Sequence, residues 1–330
     1  MKSAGKILAV GVFAALLGIG GTPAEASLST FQTFTGAGDG VSTDGCGSTS
    51  QTCTITATVP VGSTVLGAYL YTSLYFDASP PPAGGTLNGT AVNYTTALGF
   101  DATTCCTLQA WRSDVTSIVK PVIDPGPGGT YSFTVTETTA SQDGEGLVVV
   151  YTDPANTATE TVAILDGFSK SGGDTATLNL SSPTTAGFAA GMIIGDGFSC
   201  CGQASTIKVN GTTITNNAGN DDDGLSGDVN GSLITVGSFT DPASPLLPSY
   251  AADHEHYDIT PEVPLGSTAI TVDTNNPSGD DNIFLEVYDV TGSATVTCPT
   301  CKAVPEPGSL ALLGAALAGF GVIRRRRKAA

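Results

Sequence analysis

Apolar and polar positions alternate with a period of two over much of this chain. Cys53-Thr54-Ile55-Thr56-Ala57-Thr58-Val59, Tyr131-Ser132-Phe133-Thr134-Val135 and Ile207-Lys208-Val209 each place every second side chain on one face, as a half-buried strand does. Continuous apolar runs at 147–151, 192–194 and 283–290 predict strands covered on both faces. No convincing helical period competes with these signals in the body of the chain. Asn88-Gly89, Asn210-Gly211 and Asn230-Gly231, flanked by apolar or β-branched residues, predict tight hairpins. The pattern predicts an all-β protein of one or two β-sandwich or jelly-roll domains. Composition agrees: 42 Gly and 19 Pro supply turns, and 40% hydrophobic residues suffice for a packed core.

A faint duplication divides the chain near residue 145. Asn88-Gly89, Asp114-Val115-Thr116 and Gly129-Thr130 recur in order as Asn210-Gly211, Asp258-Ile259-Thr260 and Gly266-Ser267-Thr268. Two related sandwiches, 27–145 and 146–297, are expected, with a boundary around 141–146. A single long sandwich is the alternative.

Positive charge is concentrated at the ends. Lys2 and Lys6 precede an apolar run at 7–19 and the small-residue site Ala24-Glu25-Ala26, the layout of a cleavable secretory signal peptide at 1–26. At the other end, a 298–303 linker leads to Val304-Pro305-Glu306-Pro307. An uncharged segment follows at 309–323, then Arg324, Arg325, Arg326, Arg327 and Lys328. As a helix that segment rises about 22 Å, short of the roughly 30 Å hydrocarbon core, and snorkelling arginines reduce the mismatch. It is expected to act as a transmembrane anchor with its basic tail held in the cytoplasm.

In the order of motif, apolar helix and basic tail, residues 304–330 resemble the PEP-CTERM sorting signal of Gram-negative bacteria. The resemblance implies export through the translocon and a transient inner-membrane anchor. It also implies recognition of Pro305, Glu306 and Pro307 by an exosortase, which removes the helix and releases the protein to the cell surface or extracellular matrix. A permanent single-pass anchor is the alternative.

Processing at both ends changes the charge balance. It strips Glu25 and Glu306 from the 30 acids and leaves Arg112, Lys120, Lys170, Lys208 and Lys302 as bases, 28 acids against five and a net charge of about −23. Such a surface excludes nucleic acid as a partner, since phosphate binding needs clustered Lys and Arg. The eight cysteines of an exported chain read as disulfides. Local bridges Cys46–Cys53 and Cys298–Cys301 are expected. The adjacent pairs Cys105-Cys106 and Cys200-Cys201 either cross-link to each other or form vicinal bonds. A zinc site or a redox Cys298-Pro299-Thr300-Cys301 motif lacks a supporting context.

Candidate chemistry is sparse. Asp221, Asp223 and Asp228, in an Asn/Asp/Gly loop, offer hard oxygen ligands suited to calcium, though the loop has no EF-hand spacing and no cofactor is required. His254 and His256, two apart, could share a strand face and present two imidazoles to zinc. Trp111, Tyr69, Tyr71 and Tyr75 could stack on sugars or, as is usual for large aromatics, pack the core. The five Asn-x-Ser/Thr sites, at Asn88, Asn93, Asn179, Asn210 and Asn230, add little beyond the turns. The mature chain has no nucleophile elbow, H-E-x-x-H or P-loop, so no catalytic residue is assigned.

Leu147-Val148-Val149-Val150-Tyr151-Thr152-Asp153-Pro154, followed by Val162-Ala163-Ile164-Leu165-Asp166-Gly167-Phe168, resembles an uncharacterised β-sandwich domain of bacterial and archaeal surface proteins. That domain pairs a Val-Val-Tyr-x-Asp-Pro hairpin with an aliphatic strand ending in Asp-Gly; the basic residue often found in the hairpin is replaced here, around Thr159. The resemblance implies a surface or adhesin-like module. The expected function is therefore a non-enzymatic, structural or adhesive surface protein, with extracellular polysaccharide as a possible partner. The alternative is a secreted carbohydrate- or calcium-dependent binding module.

Overall fold

The computed structural model describes residues 27–47, 51–74, 84–101, 107–139, 141–169, 172–197, 204–219, 234–277 and 282–298. Residues 1–26, expected to be a signal peptide, and the 304–330 segment with its expected transmembrane helix lie outside these residues. Among the described residues 61% are in strands and 6% are helical, as the alternating pattern predicts. No helix among them is long and apolar enough to cross a membrane.

Four antiparallel sheets stack face to face. The first outer sheet is β3 (Thr52–Val59), β9 (Gly129–Glu137), β5 (Gly85–Leu87) and β6 (Thr90–Val92). The first inner sheet is β2 (Asp39–Gly47), β10 (Gln142–Thr152), β4 (Thr64–Leu74), β8 (Leu108–Asp114) and β7 (Thr96–Asp101). The second inner sheet is β1 (Ser29–Ala37), β11 (Thr159–Ser169), β19 (Asn282–Thr291), β13 (Ala190–Gly197) and β16 (Thr235–Val236), with β17 (His256–Asp258) also on β13. The second outer sheet is β15 (Thr212–Ala218), β14 (Ser205–Val209), β18 (Ala269–Asn275), β12 (Thr175–Leu180) and β20 (Ala294–Thr297). One short helix, α1 (Thr116–Ile123), buries Val119 and Ile123.

Three apolar layers fill the spaces between the four sheets. On β10, Leu147 and Val149 pack toward the first outer sheet, whereas Val148 and Val150 pack toward the second inner sheet. On β11, Val162 and Ile164 face the first inner sheet while Ala163 and Leu165 face the second outer one. Alternation therefore persists in these strands, but both faces are dry, and an unbroken apolar run results. The Tyr151-Thr152-Asp153-Pro154 segment is not a hairpin: β10 and β11 belong to different sheets, so the segment crosses between them.

The duplicated motifs make duplicated contacts. The backbone of Asn88 donates to Thr134 O at 2.8 Å and its Oδ1 accepts from Thr134 N at 2.8 Å; Asn210 does the same with Thr271, at 2.8 and 2.9 Å. Both Asn-Gly pairs have positive φ at each residue, the geometry of a two-residue hairpin. Likewise Thr116 Oγ1 accepts from Ala68 N at 2.9 Å, and Thr260 Oγ1 accepts from Ala190 N at 3.0 Å. Asn230 lies outside the described residues.

One charged contact crosses the middle apolar layer. Arg112 of β8 pairs with Asp166 of β11, and Tyr71 Oη donates to the same carboxylate at 3.1 Å. The guanidinium lies 3.3 Å from the centroid of the Phe31 ring on β1. Burial pushes the Asp166 carboxyl up, against the pull of Arg112 and the two hydrogen bonds.

Candidate functional site

The chain crosses between the inner sheets twice, side by side, and a cleft opens at the crossings. The first crossing is Gly38, between β1 and β2; the second is residues 153–158, between β10 and β11. Gly38 N donates to Ala158 O at 2.8 Å and Asp153 N donates to Gly38 O at 2.7 Å, which ties the two together. Asp153 and Asn156 turn the second crossing by accepting from the backbone two residues on, at 2.8 and 2.9 Å. Gly38 has a φ of 75°, and a Cβ there would stand 2.2 Å from Asp153 O and 2.5 Å from Asn156 O. Gly38→Ala is expected to cost about 1–3 kcal/mol, read as a lower urea midpoint with an unchanged denaturant slope.

The cleft has a volume of about 490 Å3, within the usual range for small-ligand sites. Aromatic rings stand in its lining on both sides of the crossing. Tyr151 lies opposite Gly40 across the β10–β2 ladder, where a side chain on Gly40 would meet the ring at 3.0 Å. Phe239 is seated against Gly191, whose Cβ would lie 3.1 Å from it. The His256 imidazole meets Phe239 edge-on at 5.3 Å and 64°, and its Nδ1 is 2.9 Å from Asp241 O.

Carboxylates supply the polar lining. Asp39 from β2, Glu160 from β11 and Asp289 from β19 face the same space, with Asp153 and Asp258, and among the described residues no Lys or Arg lines the cleft. Burial, then Glu160 and Asp39, push Asp289 up to about 7. Burial also raises Glu160, against hydrogen bonds from Thr291 and Asn156. Tyr151 is pushed up to about 12 by burial and by Asp289 and Asp153. Asp39 is held by Thr152 Oγ1, which donates to its Oδ1 at 2.9 Å. The arrangement offers ring faces and hydrogen-bond acceptors in one pocket, the lining that saccharide hydroxyls and C–H faces need.

The sequence-derived candidates are distributed differently. His256 lines the cleft, but His254 does not share its strand face, because Glu255 between them has a φ of 47° and β17 begins only at His256. Among the described residues no three His, Cys, Asp or Glu side chains are gathered as a metal site. Tyr69 and Tyr71 are buried in the layer between the inner sheets, and Trp111 is half-buried with its Nε1 donating to Gln109 Oε1 at 3.1 Å. The expected Cys46–Cys53 bridge is formed and joins β2 to β3, one sheet to the next. Cys298 is disulfide-bonded. Cys105, Cys106, Cys200, Cys201, Cys301, Tyr75, the acidic residues Asp221, Asp223 and Asp228, and Pro305, Glu306, Pro307 and Arg324–Arg327 all lie outside the described residues. Tyr151 and Phe239 were not singled out as ligand-binding rings by the sequence, because the glycines they rest on, Gly40 and Gly191, are distant in the chain.

A second group of acids is buried away from the cleft. Glu137, Asp143 and Glu145 are almost wholly buried, and both carboxyl oxygens of Glu137 and of Asp143 lack a hydrogen-bond partner. Glu145 Oε1 accepts from Tyr94 Oη at 3.2 Å and from Gln142 Nε2 at 3.1 Å. Burial and the neighbouring Glu145 push Glu137 up to about 9; burial pushes Glu145 up to about 8 and, with Glu137, Asp143 well above the carboxylate range. These groups are therefore held as neutral acids at pH 7, which removes the cost of an uncompensated buried charge.

Three comparisons bear on identity. A search of curated proteins returned no match. Among solved structures, the chain is similar to a β-porphyranase of glycoside hydrolase family 86 from the human gut bacterium Bacteroides plebeius. That match has 13% identity and a TM-score of 0.24 and covers 75% of this chain; the chain spans only 36% of that structure. Residues 303–327 match the PEP-CTERM protein-sorting motif, so the chain carries the signal of an exported, exosortase-sorted protein.

Proposed function

We propose that the protein is a non-enzymatic adhesive component of the cell surface or extracellular matrix, and that it holds matrix saccharides in the crossover cleft. The sorting motif supports export, which this location requires. The observation that carries the binding role is the cleft itself, where Tyr151 and Phe239 stand beside Asp39, Glu160 and Asp289. Rings seated against glycines are rigid, so they lose little conformational freedom when a sugar stacks on them. The four-sheet stack supplies the stiff frame that keeps the rings in place.

Co-sedimentation with the host's extracellular polysaccharide tests this reading. The exported protein is expected to pellet with the polymer, and Tyr151→Ser with Phe239→Ser to lower the bound fraction at least about fivefold at a temperature where the variant, destabilised because both rings also pack against the core, is still folded by circular dichroism. Equal pelleting of both proteins, or of neither, would overturn it.

A further inference from the structure

Resting on the saccharide reading of the cleft, we infer that its preferred ligand is a saccharide carrying free primary amines, and that uronic-acid polymers are rejected. The inference stands on the charge inventory of the lining. Asp39, Glu160 and Asp289 converge from three strands of two sheets, Asp153 and Asp258 stand with them, and among the described residues no Lys or Arg balances them, the His256 imidazole being the one basic side chain of the lining.

A neutral sugar that displaced water from this cleft would leave the carboxylates facing one another with less screening than before. A uronate would add a further like charge, which the carboxylates repel at close range. An ammonium on the sugar supplies three donors and the missing positive charge, while the ring faces of Tyr151 and Phe239 take its apolar C–H surface. The rest of the molecule points the same way, because the mature chain has 28 acids against five bases and repels anionic polymers at long range.

Binding of such a ligand should also move a proton. Asp289 is held near pH 7 by burial and by Glu160 and Asp39, and an ammonium beside it favours the carboxylate. The other titratable groups of the cleft are Tyr151, Asp153, His256 and Asp258. Of these Tyr151, at about 12, stays protonated throughout.

Titration calorimetry of the exported protein at pH 6.5, in two buffers of different ionisation enthalpy, separates the outcomes. The probes are a glucosamine hexamer, its fully N-acetylated counterpart and a galacturonate hexamer. The glucosamine hexamer is expected to bind at least about tenfold more tightly than the N-acetylated one and to release protons, with no binding of the galacturonate. Asp289→Asn is expected to abolish the proton release and most of the preference for the amine over the N-acetylated hexamer. Non-specific attraction to so acidic a protein would pass through this single-charge change almost untouched. A preference that survives Asp289→Asn, or N-acetylated or galacturonate hexamers that bind as tightly as the amine, would overturn the inference and leave the saccharide reading standing. Absence of binding by all three would overturn both.

Discussion

Replacing Arg112 with alanine is expected to lower the stability of the stack by about 3–5 kcal/mol, the cost of leaving a buried carboxylate without its partner. Asp166 lies in the middle apolar layer, where among the described residues its charge is met by the Arg112 guanidinium and the Tyr71 hydroxyl. The same guanidinium covers the Phe31 ring of β1, so the substitution also removes a cation–π contact that holds the N-terminal strand against β8. Lysine is a poor substitute, because it lacks the flat face that lies on the ring. The double variant Arg112→Met, Asp166→Asn removes both charges and is expected to recover most of the loss. Urea midpoints of the three proteins measure this. A single-variant loss below about 1 kcal/mol would show that Asp166 finds another counter-charge.

Stability is expected to fall as pH rises from about 5 to 9, the reverse of ordinary acid denaturation. Glu137 at about 9, Glu145 at about 8 and Glu286 at about 7, with Asp143 also well raised, bind protons more tightly folded than unfolded. Their contribution is fully present below the unfolded values near pH 4.5 and is lost as pH climbs through the folded ones. Each such proton steepens the decline by about 1.4 kcal/mol per pH unit within its window. Glu145 and Glu286 occupy matching places on β10 and β19, since Val149 lies opposite Ala68 and Val290 opposite Ala190, four residues beyond each glutamate. Glu137→Gln with Glu145→Gln keeps both sites neutral at every pH and should flatten the profile above pH 5. A stability maximum near pH 8 in the parent protein would contradict the assignment of neutral acids.

Much of this architecture is legible in the sequence, and the remainder is hidden for physical reasons. Period-two alternation identifies the strands, and the Asn-Gly turns at 88–89 and 210–211 are where the pattern places them. The apolar runs at 147–151 and 283–290 correctly signal two covered faces. They cannot say what covers them, because a strand buried by a helix and one buried by a second sheet need the same side chains. Nothing local marks β1 as a partner of β11, some 130 residues away, rather than of its neighbour β2; the register of Phe34 with Val162 is a tertiary outcome. The cleft is less legible still, because Asp39, Glu160 and Asp289 lie on three strands that only the stacking of the inner sheets brings together. Of the aromatics read as core residues in the usual way, Tyr69 and Tyr71 do pack the core, and the rings at the cleft are Tyr151 and Phe239. The buried acids look like ordinary solvated carboxylates in a chain with so many of them.

The sorting motif at 303–327 implies export and processing by an exosortase, and an intact-mass measurement of the exported protein tests that most directly. The account predicts a single species lacking residues 1–26 and everything beyond about Glu306, with the Cys46–Cys53 bridge intact. A mass that retains Arg324 to Lys328 would contradict it.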